Sequence, residues 1–155
     1  MQRKNRMVRL LLLMLLCFLA TNALAQHQRN SQYLDMRRSK LIKKANEGDV
    51  LAKYWVAHRS NSFEEKAKWF EQYAKQRKTS HAVQYLGKLH DEYEDNEKAY
   101  FWFLVTLRFC KKEEYTDKWC ADAKKRVSSI EPALPEGKVA ELKRKAKVWG
   151  RKKSR

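Results

Sequence analysis

Residues 79–110 read TSHAVQYLGKLHDEYEDNEKAYFWFLVTLRFC, and the fold turns on them. Ala82, Tyr85, Leu86 and Leu89 recur at three- and four-residue steps, and after a polar, acidic interruption over residues 91–97 the same period returns in Ala99, Trp102, Phe103, Thr106 and Cys110. Apolar residues at that period give each helix one buried face, and so short a break joins the two as an αα-hairpin. Gly87 lies inside the first helix, where glycine costs about 1 kcal/mol relative to alanine. It therefore predicts a place where a neighbouring helix comes too close for a side chain.

Toward the N-terminus the same period recurs. Leu34, Leu41, Ile42 and Ala45 line one side of a basic amphipathic helix over 33–46, and Gly48-Asp49 ends it. A second helix over 50–58 offers Leu51, Ala52, Tyr54 and Trp55 to the core. Ser60, Asn61 and Ser62 make a turn and a helix start, after which Phe63, Ala67, Phe70 and Ala74 carry a third helix to about residue 76. Beyond the hairpin, Tyr115, Trp119, Ala123, Val127 and Ile130 mark a sixth helix. Pro132 and Pro135 interrupt the pattern, because proline removes a donor and clashes with the preceding turn. A seventh helix over 135–149 places Val139, Leu142, Ala146 and Trp149 on one stripe. No stretch alternates with period two for long enough to be a strand, so the expectation is one all-α domain over 33–149, a short α-α solenoid of about seven helices.

The start of the chain addresses its compartment. Arg3, Lys4, Arg6 and Arg9 precede an eleven-residue apolar run over 10–20, too short to span a bilayer comfortably, and Ala23-Leu24-Ala25 follows it. That order reads as a secretory signal peptide over 1–25, cleaved after Ala25, with an uncleaved anchor as the competing reading. Leu16 before Cys17 argues against lipoprotein processing. The expected destination is the periplasm or the exterior, with 26–32 as a loose polar start. Loss of the four leading cations lowers the net charge from +17 to +13. Cys110 and Cys120 then remain, and an oxidising compartment favours a disulfide between them over two buried thiols.

The chain also repeats itself. Ala45, Gly48, Asp49, Ala52 and Trp55 align with Lys75, Lys78, Thr79, Ala82 and Tyr85 at a spacing of 30. Ala67, Phe70 and Ala74 align with Ala99, Trp102 and Thr106 at 32. Ala82, Leu86 and Gly87, with Lys98, Ala99 and Trp102, resemble the Sel-one-like repeat, a short relative of the tetratricopeptide repeat whose pattern runs A-x-x-x-L-G and then K-A-x-x-W. The first unit departs from it, with Ala57 at the helix glycine and Phe70 at the tryptophan. Over residues 41–109 the resemblance implies a curved stack of helix pairs, packed through Ala52, Ala67, Phe70, Ala82, Leu86, Gly87, Ala99 and Trp102, that serves as a binding scaffold. Exported bacterial members of the family end in a proline-introduced helix closing with tryptophan, similar to 135–149. Such a helix implies a cap over an otherwise open apolar end.

Catalytic and metal signatures do not emerge. His27, His58, His81 and His90 stand in no HExxH or cysteine-paired arrangement, and they read as surface or helix-end residues. Asp91, Glu92, Glu94, Asp95 and Glu97 lack the spacing and turn glycine of a calcium loop and read as a solvated turn. No nucleophile elbow or glycine-rich phosphate loop is present, so no enzyme, metal or cofactor is expected. In the cluster Tyr100, Phe101, Trp102 and Phe103, the last two face the core. Tyr100 and Phe101 either form a partner-binding patch or pack on a neighbouring helix pair.

Charge carries the remaining hint. Lys143, Arg144, Lys147, Arg151, Lys152 and Lys153 crowd the last helix and the tail over 150–155. Nucleic acid would suit such charge, yet an exported protein does not ordinarily meet it and no recognition helix is identifiable. The reading is therefore an exported scaffold that binds another, acidic, exported or envelope protein without catalysis. The alternative is a cationic envelope-surface protein that holds anionic lipid, lipopolysaccharide or cell-wall polymer through its basic end, and against both stands a solvated basic surface that only aids solubility.

Overall fold

The computed structural model describes residues 14, 31–111 and 117–150. The cleavage point after Ala25, Tyr115 and the tail cations Arg151, Lys152 and Lys153 lie outside the described residues, as does the segment 1–25 apart from Met14.

Short polar side chains start four of the helices. An N-cap oxygen satisfies a backbone donor that the first turn leaves unpaired. Asp49 accepts from Ala52 N–H at 3.0 Å and opens α2, Val50–His58, which follows α1, Arg38–Asn46. Ser62 accepts from Glu65 N–H at 3.4 Å and opens α3, Phe63–Arg77. Thr79 and Asp95 do the same for α4, Ser80–Glu92, and α5, Asn96–Cys110, at 3.3 and 3.2 Å. Then come α6, Asp117–Ile130, a 3₁₀ turn, Glu131–Ala133, and α7, Glu136–Val148, entered through Pro135. The fold is all-α, and no strand occurs among the described residues. Successive helices pack on one another as antiparallel pairs stacked into a short solenoid.

The expected first helix is split. Residues 31–34 form a separate helical turn that includes the end of the segment read as loose, and α1 begins only at Arg38. Tertiary bonds explain the break: the Tyr33 hydroxyl donates to Asp49 Oδ2 at 2.5 Å, and Arg59 Nη1 donates to the Met36 carbonyl at 2.5 Å. Tyr33 thereby takes the buried place expected of Leu34, which is 51% exposed. In α2 the buried face is Ala52, Lys53, Val56 and Ala57, and Leu51, Tyr54 and Trp55 are only half-buried. Ala67 is likewise half-buried, whereas Ala52, Phe70, Ala82, Leu86, Gly87, Ala99 and Trp102 are in the core.

Helix α5 is the centre of the molecule. Its Trp102, Val105 and Phe109 join the apolar cluster shared with α1–α4, and its Ala99, Tyr100 and Phe103 join a second cluster with Ala123, Ile130, Val139 and Leu142. Gly87 on α4 meets this helix as its sequence position predicts. A Cβ there would stand 2.8 Å from the Phe103 ring, closer than carbon atoms approach. The sulfurs of Cys110 and Cys120 are 2.07 Å apart with Cα atoms at 5.9 Å, so the end of α5 is bonded to the first turn of α6.

The last helix is fastened by its C-terminus. Arg108 of α5 donates to the carbonyls of Ala146 and Lys147 at 2.9 Å each and of Trp149 at 2.6 Å. A cation on those otherwise unpaired carbonyls also meets the negative end of the helix dipole. Trp149 sets its ring edge-on to Trp102 at 5.3 Å and to Phe109 at 6.2 Å. The acidic segment is a turn, with Glu94 at φ 58°, and it is tied down by the ion pairs Asp91–Arg126 and, at 3.4 Å, Glu97–Lys138. No helix among the described residues is long and apolar enough to cross a membrane.

Candidate partner-binding site

Helices α2, α4 and α6 each contribute aromatic side chains that the core does not use up. Tyr54 of α2 and Tyr85 of α4 bring their hydroxyls to 3.2 Å, and Tyr85 Oη lies 3.0 Å from His81 Nε2 one turn away. His81 in turn sits against Trp119 of α6, with ring centroids at 4.9 Å. Lys88 stands 5.3 Å over the Trp119 ring and 3.2 Å from Asp122, which also accepts a hydrogen bond from the buried Gln84 amide at 2.8 Å. Phe70 of α3 lies parallel to Tyr85, 4° between planes at 5.1 Å, and His58 packs edge-on to Tyr54, Phe70 and Tyr85.

These contacts form a rigid aromatic row across three helices, because each ring is held by the next. Where it crosses α2, α3 and α4, the row floors an open cleft of about 260 Å³ lined by His58, Lys66, Phe70, Tyr85, Lys88, Leu89 and Glu92. Burial, with Lys66 and His81 nearby, lowers the pKa of His58 below the usual imidazole value, so it is neutral at pH 7. Burial and the Tyr54 hydroxyl raise the pKa of Tyr85, which keeps its proton as a hydrogen-bond donor. The cleft at neutral pH therefore presents ring faces and edges with two ammonium groups and one carboxylate at its rim. It suits recognition of an aromatic or aliphatic side chain flanked by acidic groups.

The predicted site residues fall elsewhere. Tyr100 is not on the surface: it is fully buried between α5 and the 3₁₀ turn, where its hydroxyl donates to Glu131 Oε2 at 2.6 Å. Phe101 is half-buried against Trp102 at 4.8 Å and lines a separate cleft between α5 and α7 with Leu142, Lys138 and Lys145. Lys143, Arg144 and Lys147 are exposed on α7, and Lys143 pairs with Glu131 at 2.8 Å. Phe101 and the cations Lys143 and Lys147 line different clefts, so they do not form one patch. Sequence reasoning placed Tyr54 and Tyr85 in the core and His58 and His81 at unremarked surface positions. One signal was available: Tyr54 and Tyr85 stand at nearly the repeat spacing on the first helices of successive pairs, where a stack lines up equivalent positions.

No group of three or more histidine, cysteine, aspartate or glutamate side chains is arranged to hold a metal ion among the described residues. The fold and the row together define a class, an all-α stack of helix pairs with an aromatic, cation-rimmed surface. No protein-family model, no curated protein and no solved structure matches this chain.

Proposed function

We propose that this protein is an exported helical-repeat scaffold that binds another exported or envelope protein and performs no catalysis. The observation that carries the reading is the row Tyr54, Tyr85, His81 and Trp119, which keeps aromatic surface accessible and held ring against ring on three alternate helices, α2, α4 and α6. A preorganised aromatic surface binds with little loss of side-chain freedom, which is the main cost of association that a scaffold can remove in advance. Lys66 and Lys88 at the cleft, and a net charge of +13 once the four leading cations are taken from the +17 of the whole chain, favour an acidic partner by steering its approach. The basic start, apolar run and Ala-Leu-Ala triplet support export, and a bonded Cys110–Cys120 pair suits an oxidising compartment. The resemblance of residues 41–109 to the Sel-one-like repeat points the same way.

The test is site-specific photocrosslinking in living cells. A crosslinking residue in place of Lys88 is expected to trap one discrete partner, and the same residue in place of the exposed Ser128 on α6 is expected to trap none. Tyr85→Ala should abolish the adduct at position 88. Identical adducts from both positions, or an adduct indifferent to Tyr85→Ala, would overturn the reading.

A further inference from the structure

The second cleft system, on the far side of the α5–α7 contact, has a different chemistry. Leu104, Leu107 and Ala146 floor a shallow groove of about 300 Å³, and Lys111, Lys143 and Lys147 stand around it with Arg108. No acidic side chain lines it among the described residues. The neighbouring cleft at Phe101 is the internal contrast, since its rim mixes Glu97 and Glu141 with Lys98, Lys138 and Lys145. Arg108 is committed to the end of α7 and Lys143 is shared with Glu131, so Lys111 and Lys147 carry the accessible charge.

We propose that this groove seats the acyl chain of an anionic phospholipid presented by a bilayer, with the headgroup held by Lys111 and Lys147. Three features select that occupant. The floor is apolar and lies between two helices, so a free anion would leave it unused. The rim carries one sign of charge, which a headgroup complements and a protein surface of mixed sign does not. Its volume lies at the lower end of ligand pockets, enough for part of one chain and too small for a folded partner. The outer end of α7 also leaves Val148 54% exposed, and the chain continues from there into Arg151, Lys152, Lys153 and Arg155. Cations near an anionic membrane surface act together, each adding a similar increment. The inference does not depend on the aromatic row, which lies on other helices.

Vesicle flotation tests it on the chain from residue 26, which keeps every helix from α1 to α7. Binding is expected to an equal mixture of phosphatidylglycerol and phosphatidylcholine and not to phosphatidylcholine alone. Replacing Lys111 and Lys147 together by alanine should weaken binding about thirtyfold, equivalent to about 2 kcal/mol. Leu107→Gln should weaken it about tenfold while leaving the helical circular dichroism spectrum intact. Spin-labelled acyl chains supply a readout free of mutation, broadening the methyl resonances of Leu104 and Leu107 before those of Leu41 in the core. Absence of binding, equal binding to both vesicles, displacement by glycerol phosphate alone, or broadening that spares Leu104 and Leu107 would each overturn the proposal. The photocrosslink at position 88 reports on the protein-binding reading separately, so either can fail without the other.

Discussion

The two helix pairs α2–α3 and α4–α5 share a sequence pattern and differ in what surrounds them. In α3 the buried residues are Trp69, Phe70, Tyr73 and Ala74, a single stripe. In α5 they are Ala99, Tyr100, Trp102, Phe103, Val105, Thr106 and Phe109, which wrap most of the helix. The position equivalent to Phe103 in the first pair is Glu71, whose carboxylate pairs with Lys75 in water at 2.8 Å. The position facing it changes in step: Ala57 is tolerated in the first pair, and Gly87 in the second leaves room for the Phe103 ring. Glycine here goes with the crowding of α5, which packs against three helices, α4, α6 and α7, whereas α3 packs mainly against two, α2 and α4. The number of neighbours, more than the repeat pattern, sets how apolar each helix is.

The contrast is most directly broken at its two unequal positions. Phe103→Ala should destabilise the protein by about 3–5 kcal/mol, the usual cost of truncating a fully buried aromatic. Glu71→Ala should change stability by less than about 0.5 kcal/mol. Urea unfolding of both variants measures the difference, and similar losses would show that the two pairs are packed alike after all.

Next in size is the disulfide, which exists only on the second pair. Replacing Cys110 and Cys120 by serine should cost about 2–3 kcal/mol in the chain-entropy view, because the closed loop is short. The loss should appear in the urea midpoint, with the helical content of α1–α4 retained below the transition.

Gly87→Ala sets two effects of similar size against each other. Alanine gains about 1 kcal/mol of helix propensity, and forcing a methyl group into the Phe103 ring costs about 1–3 kcal/mol. The expected net is a loss of about 1 kcal/mol, relieved when Phe103→Leu is added. Ala57→Gly in the first pair should lose about 1–2 kcal/mol, with no such relief, since helix propensity and a buried methyl group are both lost.

The smallest effect is one of pH. His58 near the end of the first pair's leading helix and His90 near the end of the second's both have pKa values lowered by burial. Lys66 and His81 add to the lowering at His58, whereas Asp95 opposes it at His90, with Lys98 assisting and Glu71 also opposing. Their folded pKa values lie below the unfolded value of 6.5, so the unfolded chain binds more protons as the pH drops. Stability is therefore full above pH 6.5 and declines as the pH falls through it. His90→Asn should flatten most of that decline between pH 7 and 5, because His90 is the more deeply buried of the two and solvent weakens the effect at His58. An unchanged slope in thermal melts would assign the decline elsewhere.

Much of the fold was legible because helices write their buried faces at a fixed period. Ala82, Leu86 and Leu89, then Ala99, Trp102 and Phe103, are core residues where the period placed them, and the Pro135 start of the last helix is where proline rules put it. Local reasoning missed where long-range bonds intervened. Tyr33 displaced Leu34 because Asp49, sixteen residues on, offered its hydroxyl a carboxylate. Tyr100 went inside because Glu131 offered it another, and without that partner a buried tyrosine hydroxyl would be costly. The candidate site was scarcely legible, since its residues come from four helices and none carries a motif of its own.

Composition and periodicity, which act within a few residues, determined from sequence alone an all-α chain, the helix starts at Ser62 and Pro135, the glycine that marks a close approach and the two cysteines suited to pairing. Only the tertiary structure decided that α5 serves two cores, that Arg108 closes the end of α7, and that Tyr54, Tyr85, His81 and Trp119 meet in one row. Those outcomes depend on which surfaces lie opposite one another after collapse, and a helix's period says which face is buried without saying against what.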